Sequence, residues 1–157
     1  MPRAEIPPGY LTPNFSLDEM IASDTADECG ITNSPDDDEI ANLTDLCELL
    51  ELVRARCGGN PVLVSSGFRC ADLNAAIGGA DNSAHLFGCA ADFTIPAFGS
   101  PLDVCLAIEP YVAEWGVDQL IHEYQSWVHI GRAVPPAMPR YQCLTIDDYG
   151  TATGINP

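Results

Sequence analysis

Apolar residues recur at helical spacing over two stretches of this chain and alternate with polar ones over several shorter stretches. Ile40, Leu43, Cys47, Leu50 and Cys57 form the stripe of an amphipathic helix. Ser34 suits its N-cap, Pro35 the first helical position, and the following aspartates the positive end of its dipole; Gly58-Gly59 stops it. Ser16-Leu-Asp-Glu19 predicts a short helix opened by a capping box. Residues 71–77 predict another, closed by Gly78. Ser100-Pro101 starts a helix carrying Val104, Cys105, Ile108, Val112 and Trp115 and ending at Gly116.

Strand patterns lie between and after these helices. PVLVSS (61–66) reads as a buried strand ending at Gly67. In AADFTI (90–95), Ala90, Asp92 and Thr94 fall on one face and Ala91, Phe93 and Ile95 on the other. DQLIHE (118–123) and WVHIG (127–131) predict two more strands, and YQCLTI (141–146) an edge strand. Helices followed by short, hairpin-linked strands predict an α+β domain with a small antiparallel sheet packed by helices. The 157 residues suit one domain over 1–157, with an N-terminal arm at 1–15 and a Pro-rich C-terminal extension at 132–157.

Charge narrows the partners. Net charge is −17, with 23 acids against six arginines and no lysine. Phosphate backbones and anionic membrane surfaces are repelled, so neither nucleic acid nor membrane is an expected partner. No apolar run approaches the roughly 20 residues of a membrane span. The prolines around Ile6 leave no signal-peptide core, so synthesis in the cytoplasm without a signal peptide is expected. The seven cysteines include no C-x-x-C pair, which argues against a zinc knuckle and for mostly free thiols. Cys70 and Cys89 flank the segment discussed next, leaving a bridge between them open.

Two of the three histidines fall in the most informative segments: His85, with Asp92, in SAHLFGCAAD, and His129 in WVHIG. A catalytic zinc needs three imidazole or carboxylate ligands and one open position. A turn at Gly88 can fold His85 back towards Asp92, and Asp92 and His129 share a face if their strands pair suitably. Taken singly, a histidine beside apolar neighbours is more often a hydrogen-bonded core residue than a ligand, and an aspartate near a turn more often a cap.

The run SGFRCADLNAAIGGADNSAHLFGCAADF, 66–93, resembles the zinc D-alanyl-D-alanine carboxypeptidases. That group includes vancomycin-resistance dipeptidases and phage L-alanyl-D-glutamate endopeptidases and shares its fold with the hedgehog signalling domain. The pattern S-x-H-x-x-G-x-A-x-D is matched from Ser83 to Asp92, S-G-[YF]-R by Ser66 to Arg69, and the second-histidine strand by Trp127 to Ile130. The opening segment from Leu11 is also similar to single-domain members.

The resemblance implies that His85, Asp92 and His129 bind Zn2+, and that Arg69 grips a peptide carboxylate with its planar guanidinium. It leaves Ser83 either contacting substrate or stabilising the turn before His85. Glu123, ending a strand ahead of the His129 hairpin, is the expected general base. In several relatives the acid lies three residues before the second histidine, where this chain has Ser126. Asp118 and Glu114 are the rival acids and read as surface residues. His122 reads as structural or a minor substrate contact, Cys89 as a packed small residue rather than a ligand, and Trp127 as a core aromatic that can line the cleft.

The implied function is hydrolysis of D-amino-acid-containing peptidoglycan stem peptides by a single-domain, phage-like zinc peptidase of carboxypeptidase or endolysin type. The expected partners are peptidoglycan peptides and, in a phage setting, virion or tail proteins, with action at the cell wall. The alternatives are an exported bacterial carboxypeptidase, and a non-catalytic virion module retaining the peptidase fold.

Overall fold

The computed structural model describes residues 5–157, so Met1 to Ala4 of the expected N-terminal arm lie outside the described residues. A small hairpin comes first, β1 (Tyr10–Thr12) against β2 (Phe15–Ser16). Helix α1 (Leu17–Ile21) follows with the expected Ser16–Glu19 capping box. A helix the pattern did not announce, α2 (Asp24–Cys29), is capped by Ser23. Six residues with one buried side chain, Ala26, carry too little periodicity to be recognised.

The long helix is α3 (Asp37–Arg56). Its N-cap is Asp36 rather than Ser34, because Asp36 and Glu39 close a reciprocal capping box and Pro35 keeps the preceding residue out of the helix. Its Leu43, Leu46, Cys47, Leu49, Leu50 and Val53 are buried. Each such leucine or valine contributes about 1.5–3 kcal/mol by leaving water.

The main sheet has six strands in the order β3-β4-β6-β5-β7-β8. These are β3 (Leu63–Ser66), β4 (Ala90–Thr94), β5 (Gln119–Glu123), β6 (Trp127–Gly131), β7 (Gln142–Asp147) and β8 (Gly150–Thr153). All neighbours are antiparallel except β5 and β7. The expected α+β architecture is therefore present, with helices packed on the sheet. Ala91, Phe93, Leu120, Val128 and Ile130 join the α3 side chains, Ile108 and Val117 in one core.

Three local expectations need correction. β3 is an outer strand with Leu63 exposed, so its apolar run is not buried on both faces. The helix after Ser100, α5 (Pro101–Ile108), ends early; a 3-10 turn at Glu109–Tyr111 replaces its continuation, since Pro110 has no N–H to donate. The YQCLTI segment is not an edge: β8 covers β7. The short helix α4 (Ala71–Ala76) is as expected. Among the described residues, no helix is long and apolar enough to cross a membrane.

Candidate metal centre

Register places Asp92 directly opposite His129, and His129 opposite Ile121. Directly opposed residues share a sheet face, so Asp92, His129 and Ile121 lie together, on the side away from Phe93 and Val128 in the core. His85 arrives from a 3-10 turn, Ala84–Phe87, whose N-cap Ser83 accepts the His85 backbone N–H at 3.3 Å. Gly88 ends the turn at φ 72°, and a Cβ there would sit 2.7 Å from the Glu39 carbonyl oxygen. Only glycine allows both the conformation and the contact with α3. The chain then reverses into β4, and ligand atoms of His85, Asp92 and His129 lie within 4.8 Å of one another.

His85 is buried, and its Nδ1 lies 2.7 Å from the Gly67 carbonyl oxygen. A carbonyl can only accept, so Nδ1 carries the proton and Nε2 keeps a bare lone pair. That Nε2 has no hydrogen-bond partner although it is buried, and it faces Asp92 Oδ2 at 3.4 Å. Two electron-rich atoms this close in a buried site call for a cation between them. Burial lowers the His85 pKa, which favours the neutral, metal-binding imidazole. Asp92 Oδ1 lies 2.9 Å from His129 Nδ1. Burial alone would raise the Asp92 pKa, but the hydrogen bond from His129 outweighs it and holds the carboxyl well below the usual range. The donor set, two imidazoles and a carboxylate beside an open space, fits a catalytic zinc site.

Arg69 reaches this centre from the loop after β3. Its Nη2 is 3.3 Å from Asp92 Oδ2, its Nε donates to Ser66 Oγ at 3.0 Å, and its Nη1 donates to Asn74 Oδ1 at 3.2 Å. A guanidinium has five N–H donors, so these three bonds leave two for a ligand. Asn74, missed from the sequence, is buried on α4 and also donates to the Ala80 carbonyl at 2.9 Å. A polar residue beside Leu73 on the buried side of a short helix was its signal.

Glu123 pairs across the hairpin with Trp127 and lies on the same face as Ile121 and His129. Burial raises its pKa, with Asp92 adding to the rise and His129 opposing it. Trp127 packs near Tyr124, with ring centroids 5.5 Å apart. His122 is buried on the opposite face, with Nδ1 2.8 Å from the Asn156 carbonyl oxygen. Cys89 is buried, its thiol pushed up to about 11 by burial, and all seven cysteines are free, so Cys70 and Cys89 are not bridged. Glu114 is exposed, but Asp118 is not the surface acid expected: it is buried against Arg140, a partner 22 residues on.

A cleft of about 470 Å³ opens beside His129. Gln119 and Ile121 of β5 line it together with Ser83 and a segment between Ala133 and Arg140. Ser83 therefore both stabilises the turn and borders the cleft. Glu123 lies one step along β5 on the other side of Ile121.

A two-histidine, one-aspartate centre on a sheet face, open to a cleft, defines a candidate metal-dependent hydrolase. The family model for Peptidase M15 matches residues 13–131, more than half of the chain, and the chain belongs to this family of zinc peptidases. No curated protein matches the chain.

Proposed function

We propose that this M15 metallopeptidase hydrolyses peptidoglycan stem peptides containing D-amino acids, as a carboxypeptidase or endolysin. What supports it best is the unpartnered Nε2 of buried His85, aimed at Asp92 within a cluster spanning 4.8 Å. His85, Asp92 and His129 would hold zinc. When bound, zinc supplies Lewis acidity, making water nucleophilic near neutral pH and polarising the scissile carbonyl.

The chain's own groups do the rest. Glu123 takes the proton from the attacking water and passes it to the leaving amine; a carboxyl raised by burial suits both tasks. Arg69 uses its two remaining N–H donors to hold a substrate carboxylate, with Ser66 and Asn74 fixing the plane of the guanidinium. Ser83 holds the His85 turn and borders the bound peptide. The setting is the bacterial cell wall.

Elemental analysis of protein purified without added metal tests the centre. About one zinc per chain is expected. Full zinc content in His85→Ala would overturn the ligand assignment. Stoichiometric zinc in a native chain that cuts no stem peptide would make the metal structural.

A further inference from the structure

The indole Nε1 of Trp127 is shut off from solvent and has no hydrogen-bond partner, although the side chain as a whole is only half-buried. An indole N–H can only donate, and leaving it unpaired away from water is costly. A phenylalanine ring would fill such a space without that cost, so the N–H calls for an acceptor.

The hairpin supplies one. Trp127 stands directly opposite Glu123 in the register of β5 and β6. Opposed side chains share a sheet face, with Cβ atoms about 4.5–5.5 Å apart. The connection between the two is short and fixed. Tyr124 and Gln125 take left-handed backbone angles, φ 51° and 54°, and the Ser126 N–H donates to the Glu123 carbonyl at 2.9 Å. The Tyr124 ring lies beside the indole, with centroids 5.5 Å apart.

The Glu123 carboxylate needs a holder in turn. Of the charged groups near it, Arg69 is bonded to Ser66, Asn74 and Asp92, and His129 to Asp92. Burial raises the Glu123 pKa, and the Trp127 indole is among the groups that oppose the rise, so the two lie within electrostatic reach. Catalytic hydrogen bonds are often long or poorly aligned before substrate binds and tighten in the complex. A carboxylate has two oxygens. Holding one on the indole stops the group rotating away and leaves the other free to take a proton.

We propose that Trp127 positions the general base: its Nε1–H donates to one carboxylate oxygen of Glu123 and aims the other at the attacking water. The proposal rests on the peptidase function proposed above, with Glu123 as its base. Trp127 is a positioning residue in it and does not touch the reacting atoms.

The first test needs no turnover. The chain has two tryptophans, Trp115 and Trp127, so the ¹⁵N-labelled protein gives two indole N–H signals, and Trp127→Phe assigns them. In the zinc-loaded full chain, Glu123→Ala should move the Trp127 signal upfield and speed its exchange with solvent, leaving the Trp115 signal in place. The second test is kinetic. Trp127→Phe keeps an aromatic ring and loses the donor. It should lower kcat on a stem peptide by about 10–100-fold, with KM within about 3-fold and zinc content full. In a Glu123→Gln background the same substitution should cost less than about 2-fold, because a residue that acts through the base then has nothing to position. Equal losses in the two backgrounds would make Trp127 merely structural and overturn the proposal, as would native kcat in a folded Trp127→Phe. If the native zinc-loaded chain cuts no stem peptide, or if Glu123→Gln cuts it as well as the native chain, the reading of the site falls and this proposal with it. Normal cleavage that depends on Glu123, with an unmoved Trp127 signal, overturns this proposal alone.

Discussion

Gly67→Ala probes the link between the fold and the metal centre. The Gly67 carbonyl holds His85 Nδ1 at 2.7 Å and so decides that Nε2 faces Asp92. A Cβ on residue 67 would lie 2.3 Å from the Met20 carbonyl oxygen, which already accepts the Phe68 N–H at 2.8 Å. Neither partner is a flexible side-chain tip; both are backbone, and Met20 is fully buried. The loop must move by much of an ångström, and its carbonyl moves with it. Overpacking of this kind costs about 1–3 kcal/mol. At roughly 3 °C per kcal/mol for a chain of this size, the melting temperature should fall by about 3–9 °C. Loss of the group that orients a metal-binding histidine typically weakens metal affinity by about 10–100-fold. Thermal melts and a competitive zinc titration on the folded variant measure the two effects separately. Lower stability with unchanged zinc affinity would refute the claim that Gly67 orients His85.

Arg69→Lys keeps the charge but loses the fork that meets Ser66, Asn74 and Asp92, so kcat/KM on a stem peptide should fall at least about 10-fold while zinc content stays full; unchanged kinetics would remove its substrate role. Glu123→Gln cannot accept a proton and should lose about 10²–10⁴-fold in kcat with zinc retained. Glu114→Gln, at an exposed site, should remain active; an inactive Glu114→Gln beside an active Glu123→Gln would reassign the base. Asp118 has a pKa depressed chiefly by its hydrogen bond from Arg140, so its stabilising effect is full above the ordinary carboxylate pKa and lost as pH falls through the lower folded value. The melting-temperature gap between the native chain and Asp118→Asn should therefore be wide near pH 7 and shrink towards about pH 3, and a gap that widens in acid would contradict this.

The clustering of His85, Asp92 and His129 into a candidate metal centre was legible because the three residues sit in dense local patterns. The period of two in 90–95 placed Asp92 opposite in orientation to Phe93, and the sheet uses that alternation. The turn at Gly88 was readable for the same reason: few residues tolerate φ 72° there. Helix ends were less legible. Ser34 and Asp36 are both competent caps, and only the reciprocal bond to Glu39 decides between them. Ile108, Val112 and Trp115 keep helical spacing across Pro110, so periodicity alone overran the true end of α5. Alternation gives a strand's faces but not its neighbours or their direction, which hid the parallel pairing of β5 with β7. The cleft wall left no signal at all. Asp118 and Arg140 meet across 22 residues of chain, and the segment between 133 and 140 has no repeat to read.

Mass analysis of purified stem peptides incubated with the zinc-loaded chain, the chelated chain and the chelated chain resupplied with zinc tests the central claim most directly. The account predicts hydrolysis at one peptide bond adjoining a D-amino acid, lost on chelation and restored by zinc. Intact peptides after incubation with a folded chain carrying one zinc would contradict it.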